Sequence, residues 1–370
     1  MRLICIHQSA DLYGSDRSFL QVLEYFVKSN RFTEIKVMLP RNGPLTSKLE
    51  ALGVTVELMD LSLLSKTYLK KLQWGKILFP LLKFPEKRVL LNSYDVVYVN
   101  TSVILDFYLI APFLRSRKII HIREIPARWL GKILSFFLKY SGSVKIFNSE
   151  STKAGFDRLP DSFVVHNAFE GFNVAVADNQ NTTIDDPIKV LLIGRINDWK
   201  GQDFTLEALQ RLKSNNITLR IVGDTSAGNE HLLDQLREQA AGAGITSQVE
   251  FVGFTADPAI HYQWADVLIV PSKKPEPFGR IAIEAMSLGK PVIAANHGGL
   301  PEIIDHNRNG FLFKPGDIES FNGFLLKYIQ DRNLLLIHGK EARNSYLRKF
   351  SSETMFNNLD RIFRDVKIWS

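Results

Sequence analysis

The chain has 370 residues, 45% of them hydrophobic and 23% charged, which fits two soluble globular domains and excludes a disordered or low-complexity chain. No run of about 18 uncharged apolar residues occurs, so a membrane-spanning helix is not expected. The net charge of +7 is uneven: residues 1–170 carry 24 Lys+Arg against 15 Asp+Glu, a net of +9, and the remainder 22 against 24, a net of −2, so an anionic partner is expected on the first half.

Met1 to His7 reads as a first strand, since no small-residue cleavage site follows its short apolar run. The single Cys5 lies within it and is expected to be a buried, inert thiol in a reducing cytoplasm. Short β-branched runs then alternate with amphipathic segments of helical length, the pattern of a parallel sheet with crossover helices. Strands are expected at Leu3–His7, Ile35–Leu39, Thr55–Leu58, Val96–Val99, Lys118–Ile122, Val144–Phe147 and Phe163–His166, with helices at Ser15–Ser29, Leu45–Leu52, Val103–Leu114, Leu130–Tyr140 and Ser151–Asp157. The polar stretch 172–187 breaks the rhythm and reads as a linker. A second alternation follows, with strands at Lys189–Ile193, Thr218–Val222, Val249–Val252, Val267–Val270, Pro291–Ala294 and Gly310–Phe313. Its helices are expected near Phe204–Ser214, Glu230–Ala241, Pro258–Trp264, Arg280–Leu288 and Leu300–Ile304. The expectation is an α/β chain of two tandem Rossmann-like, doubly wound domains, 1–171 and 188–350, facing across a deep cleft. A last helical segment, 351–370, is expected to pack back on the first domain.

The most informative stretch runs from Pro271 to Ala285. A strand ends at Val270, a Pro-rich loop carries Glu276, Phe278 and Gly279, and a helix opening at Arg280 carries Glu284. Gly279 permits close backbone approach, and the first N–H groups of the helix offer an anion site. A phosphate near Gly279 and Arg280, with sugar hydroxyls on the two carboxylates, would satisfy every group. Arg195 and Lys200 follow strand Lys189–Ile193 directly and can clamp a diphosphate, although the spacing is not that of a P-loop. Gly223-Asp224 and Gly253-Phe254, each just past a strand, are expected to wall a base pocket. In the first half, Gly14 and Ser15 open the first helix, and His121, Arg123, Glu124 and Asn148 fall at strand ends.

The spacing Glu276-x7-Glu284 resembles the signature of family 4, the large family of retaining nucleotide-sugar glycosyltransferases with the two-domain GT-B fold. Gly194-Arg195, Lys200-Gly201, Gly223-Asp224, Phe251-Val252-Gly253, Asp266, Gly298-Gly299-Leu300-Pro301-Glu302 and Asn309-Gly310-Phe311-Leu312 follow in that family's order. The resemblance implies that Glu284 holds ribose hydroxyls, Glu276 orients the donor sugar, and Arg195 and Lys200 bind the diphosphate. It implies that His121 hydrogen-bonds the donor sugar, and that Gly14-Ser15 stands where the family shows two glycines. Arg123, Glu124 and Asn148 are read as lining the acceptor side. The implied partners are a nucleotide diphosphate sugar and a glycan or lipid-linked acceptor, as in polysaccharide, lipopolysaccharide or glycolipid synthesis. Neither a metal nor another cofactor is expected, since no Asp-x-Asp motif falls in the relevant loops. Front-face attack with retention comes from the resemblance alone.

Two segments, Leu63–Leu91 and Ala127–Tyr140, interleave cations with aromatics and carry one acid, Glu86. They read as surfaces for an anionic membrane rather than for nucleic acid, giving a cytoplasmic protein peripheral to the membrane. Alternatives are a nucleotide-sugar epimerase or phosphorylase on the same fold, or a silent sugar-nucleotide binding protein. A dehydrogenase is disfavoured, because no G-x-G-x-x-G follows either first strand.

Overall fold

A computed structural model describes residues 1–64, 75, 78–174 and 186–369. The chain forms two compact units, Met1–Ala168 with Met355–Ser370 and Phe169–Thr354.

The first unit is built on a parallel seven-stranded sheet in the order β3-β2-β1-β4-β5-β6-β7. Its strands are β1 (Arg2–Ile6), β2 (Glu34–Leu39), β3 (Thr55–Leu58), β4 (Val96–Val99), β5 (Arg117–Ile122), β6 (Val144–Phe147) and β7 (Ser162–Val164). Central strands are apolar on both faces because helices cover both. In β1, Leu3 and Cys5 enter one core layer and Ile4 and Ile6 the other; in β4, Val96 and Tyr98 split from Val97 and Val99 in the same way. Burial pushes the Cys5 thiol well above its usual range. The first layer packs on α1 (Gly14–Lys28), α2 (Pro44–Ala51) and the last helix, α14 (Ser352–Asp365), from which Phe363 stacks on Phe26 and meets Trp369 edge-on. The second layer packs on α3 (Phe84–Asn92), α4 (Leu105–Ile110) and α5 (Arg128–Tyr140). Helix Glu150–Lys153, α6, begins at a Ser149 cap whose hydroxyl accepts from the Thr152 N–H.

One expected element changes shape. The helix expected over Val103–Leu114 is α for Leu105–Ile110 and then tightens to a 3₁₀ turn at Ala111–Phe113, where Pro112 has no N–H for the α ladder. Within Leu63–Leu91, residues 65–74, 76 and 77 lie outside the described residues. The remainder holds a 3₁₀ turn at Phe79–Lys83 and then α3, each with a proline in its first turn.

The second unit has a parallel six-stranded sheet in the order β10-β9-β8-β11-β12-β13. The strands are β8 (Ile188–Ile193), β9 (Ile217–Val222), β10 (Val249–Val252), β11 (Val267–Val270), β12 (Val292–Ala295) and β13 (Gly310–Phe313). Helices α7 (Gln202–Leu212), α8 (His231–Gly242), α9 (Ala259–Trp264), α10 (Arg280–Ser287) and α11 (Leu300–Ile303) alternate with them. Two long helices follow that the strand–helix alternation does not mark, α12 (Ile318–Gln330) and α13 (Arg332–Lys349). Each starts at an aspartate cap, Asp317 accepting from the Ser320 N–H and Asp331 from the Leu334 N–H, a signal available in the sequence. Of the linker expected at 172–187, residues 175–185 lie outside the described residues, while Phe172 and Val174 pack on the second unit. Among the described residues no helix is long and apolar enough to cross a membrane.

Candidate active site

In the second unit three loops meet past the carboxyl ends of neighbouring strands. Strand β8 leads into Gly194–Gly201, β11 into Pro271–Gly279, and β12 into Asn296–Gly299. The first loop is shaped by Asn197, whose Oδ1 accepts the N–H groups of Trp199 at 3.1 Å and Lys200 at 3.0 Å. A backbone bond from Lys273 N–H to Trp199 O, 2.7 Å, ties it to the second loop. Lys200 is thereby held with Nζ 2.6 Å from Glu276 Oε1 and 4.5 Å from the centre of the Trp199 ring. The Ser272 hydroxyl donates to the same Glu276 oxygen at 2.6 Å.

The third loop backs Glu276. Gly299 N–H donates to Glu276 O at 2.8 Å, and the ring Nε2 of His297 donates to Ser272 O at 2.7 Å. Gly298 has φ +64°, and a Cβ there would lie 2.3 Å from Glu276 O and 2.6 Å from its N. Only glycine lets this loop press on the Glu276 backbone.

Glu284 sits on α10, 5% exposed, and Glu276 is 6% exposed. Glu284 accepts from Arg280 Nε on one oxygen and from the Tyr262 hydroxyl on the other, both at 2.9 Å. A carboxylate offers about four lone-pair sites, so both oxygens keep acceptor capacity. Arg195 is exposed at the start of the first loop, and its carbonyl accepts from Gln202 Nε2. Gly223 and Asp224 follow β9 beside that loop, for Ile196 N–H donates to Asp224 O at 2.9 Å. Gly253 and Phe254 follow β10, both exposed. Gly279 opens α10 as its cap. The Phe278 ring is buried in the core against Phe350, so a ligand would meet its backbone rather than its ring.

In the first unit Gly14 and Ser15 start α1, but the cap is made by Asp16, whose Oδ2 accepts the Tyr13 N–H at 2.9 Å. His121 is the last residue but one of β5 and is buried. Its Nδ1 lies 2.7 Å from the Tyr98 hydroxyl and 3.2 Å from Arg123 NH2, while its Nε2 is buried with no partner among the described residues. An unmet buried donor or acceptor costs about 1–3 kcal/mol, which makes this nitrogen a candidate contact for a ligand. Burial first, then Arg123, hold the imidazole well below its usual pKa. Arg123 is itself buried, donating from Nε to Asn100 Oδ1 at 2.9 Å and from NH1 to Asn167 Oδ1. Glu124 accepts from the hydroxyls of Thr101 at 2.5 Å and Ser102 at 3.0 Å. Asn148 is buried with its Oδ1 taken by the Thr152 hydroxyl.

The structure thus joins Lys200 to Glu276 and Arg280 to Glu284, and gathers His121 and Arg123 into one network. It adds Trp199, Asn197, Tyr262, Ser272 and His297 in the second unit, and His7, Tyr98 and Asn100 in the first. Asn100 and His7 each stand one residue past a strand end, a readable signal; Tyr98, an aromatic inside a strand, carries none.

Two Rossmann-like domains of seven and six parallel strands, the second with cations and buried carboxylates past its central strands, make this a GT-B fold, the fold of solved glycosyltransferases. Residues 175–345 match the family model of Glycosyl transferases group 1. An uncharacterized glycosyltransferase of Methanocaldococcus jannaschii is 29% identical over 183 residues, 49% of this chain and 45% of that protein. The amylovoran biosynthesis glycosyltransferase AmsK of Erwinia amylovora is 29% identical over 200 residues, 52% of this chain and 47% of that protein. The chain therefore spans less than half the length of these curated relatives. The crystal structure of HepE from Anabaena in complex with UDP superposes with a TM-score of 0.83 at 22% identity, covering 99% of this chain and all of that one. At that identity the likeness is one of fold.

Proposed function

We propose that this chain is a retaining glycosyltransferase of family 4, moving a sugar from a nucleotide diphosphate sugar to a glycan or lipid-linked acceptor in cell-surface polysaccharide, lipopolysaccharide or glycolipid synthesis. The observation that carries the reading is the Lys200–Glu276 contact, a cation and a carboxylate brought from two loops to the carboxyl edge of the sheet. The UDP complex of HepE supports a nucleoside diphosphate donor.

In this reading Glu284 accepts ribose hydroxyls, which its remaining lone pairs allow. The diphosphate lies at Gly279 and Arg280, at the start of α10, with Arg195 and Lys200 on its outer oxygens. The Lys200 ammonium has three donors, so it can keep Glu276 while binding phosphate. Glu276 orients the sugar through its hydroxyls, and Gly223, Asp224, Gly253 and Phe254 border the base. On the first unit, His121 donates to a substrate oxygen, the Gly14-Ser15 turn offers N–H groups, and the edge bearing Arg123, Glu124 and Asn148 serves the acceptor. The acceptor oxygen attacks the anomeric carbon as the bond from that carbon to the phosphate oxygen breaks. The departing phosphate oxygen takes the acceptor's proton on the same face, which retains configuration. Charge grows on the leaving diphosphate, and Arg195 and Lys200 stabilise it without a metal.

The test is release of nucleoside diphosphate from a panel of nucleotide sugars by the purified chain. One or more donors should be consumed, and Glu284→Gln should raise the KM for that donor about tenfold with little change in kcat, as loss of a charged hydrogen bond to a distal hydroxyl does. No turnover of any donor, with or without added acceptors, would sink the reading.

The reading also places the chain on the cytoplasmic face of an anionic membrane, through α5. The inner side of that helix, Gly131, Leu134, Ser135 and Leu138, is buried as usual. Its outer side is not polar: Trp129, Phe136 and Tyr140 are 64%, 61% and 60% exposed, with Ile133 between them. Arg128, Lys132 and Lys139 alternate with these side chains, and no acid occurs between Glu124 and Glu150. Three cations near an anionic surface contribute about 1 kcal/mol each, so anionic vesicles should be favoured roughly a hundredfold over neutral ones. Co-sedimentation with phosphatidylglycerol and phosphatidylcholine vesicles measures this. Trp129→Ser with Phe136→Ser should abolish it, and high salt should weaken it as screening shortens. Equal binding to both vesicle types, or to neither, overturns the docking surface.

A further inference from the structure

We propose that Arg123 is a positioning residue, which fixes His121 as a neutral imidazole with its proton on Nε2, a donor kept for a substrate oxygen. Groups that can only donate decide the tautomer. A guanidinium has no acceptor, so each atom it faces must accept. Asn100 therefore turns its oxygen to Arg123 Nε at 2.9 Å, and its amide nitrogen to His7 Nδ1 at 3.1 Å. His7 Nδ1 then accepts, its proton sits on Nε2, and that N–H donates to Asp16 Oδ1 at 2.8 Å.

The same constraint acts on His121. Its Nδ1 faces Arg123 NH2 at 3.2 Å and the Tyr98 hydroxyl at 2.7 Å. A proton on Nδ1 would oppose the Arg123 N–H, whereas the Tyr98 hydroxyl, which also lies 3.4 Å from Asn100 Oδ1, can donate or accept, so Nδ1 accepts and the proton resides on Nε2. That N–H is the one buried atom of the ring without a partner among the described residues. The charged and titratable groups on the surrounding elements agree. Asp16 on α1 is taken up by His7 and the Tyr13 N–H, and Glu124 past β5 by Thr101 and Ser102. Tyr98 on β4 and Cys5 on β1 are held protonated by burial. No carboxylate among the described residues hydrogen-bonds the His121 ring, and Arg123 repels a second proton.

The tautomer stands independently of the enzymatic reading; only its consequence for turnover rests on that reading. Long-range proton–nitrogen correlation spectra of the full chain labelled at histidine nitrogen report it, with His121→Gln assigning the signal. The native protein should show His121 as a single Nε2–H tautomer that does not titrate between pH 5.5 and 8. Detection of the Nδ1–H form, or of the imidazolium in that range, overturns the proposal. In Arg123→Met the remaining partner, the Tyr98 hydroxyl, can donate or accept, so a share of Nδ1–H should appear. If Arg123→Met leaves the tautomer unchanged, Arg123 is not the group that fixes it. Tyr98→Phe is the milder variant should Arg123→Met fail to fold: Arg123 alone should then keep the proton on Nε2, and a switch to Nδ1–H overturns its role. If the chain transfers sugar, kcat in Arg123→Met should fall about 10- to 100-fold, no more than the loss of one transition-state donor. A correct tautomer in a chain that consumes no donor would count against the glycosyl-transfer reading and leave this one standing.

Discussion

Lys200→Ala should lower turnover by about 10²–10³, the usual loss when one preorganised donor to a developing oxyanion is removed. The geometry adds a second effect. Lys200 Nζ neutralises Glu276, and their side chains are only 19% and 8% exposed. Alanine would leave the carboxylate with Ser272 alone as a side-chain partner among the described bonds. Breaking a fully buried pair costs about 3–5 kcal/mol; with Lys200 partly in water we expect less, about 1–3 kcal/mol. Arg195→Ala separates the two effects, because Arg195 is exposed and its loss should cost turnover with little stability. Thermal unfolding with single-turnover assays reads both quantities. Near-normal turnover in either folded variant would show that its cation does not clamp the leaving group.

How far the sequence could be read differed between the two units, for a physical reason. In the second unit the chemistry lies in short contiguous strings just past strands, where a loop residue's place at the sheet's carboxyl edge follows from the strand itself. Glu276 and Lys200 are 76 positions apart, yet each stands a few residues beyond a strand end, and β8 and β11 are neighbours in the sheet. The supports of those residues were harder to see. Tyr262 comes from a six-residue helix, and His297 reaches Ser272 only because Gly298 and Gly299 let their loop fall onto Glu276. In the first unit, His121, Arg123 and Asn148 were legible as strand-end residues, whereas their burial was not. Burial there depends on His7, Tyr98 and Asn100 arriving from other strands, which no local pattern encodes. Helices α12 and α13 lie beyond the strand–helix alternation, although each has an aspartate cap. In α13 many polar and charged residues dilute the apolar stripe, so the caps were the better signal.

The largest structural effect is expected from Gly201→Ala, directly after Lys200. Gly201 caps α7 at φ +83°, a left-handed conformation that costs a residue with a Cβ about 1 kcal/mol or more. Strain is the smaller part. A Cβ at Gly201 would lie 2.1 Å from Pro271 O and 2.9 Å from its carbonyl carbon, and neither is the flexible end of a side chain. Either the Gly194–Gly201 loop or the start of the Pro271–Gly279 loop must move, and those two loops set the Lys200–Glu276 distance. The total cost should be about 2–4 kcal/mol, with overpacking added to the strain, and turnover should fall at least as far as in Lys200→Ala. Gly228→Ala is the control. Gly228 has φ +85°, almost the same strain, but nothing lies within 4 Å of the position its Cβ would take. That variant should lose only about 1 kcal/mol and keep its activity. The difference between the two unfolding free energies measures the contact of Gly201 with Pro271, apart from backbone preference. If the two variants lost equal stability, and Gly201→Ala kept normal turnover, the close approach of these loops would not be what holds Lys200 in place.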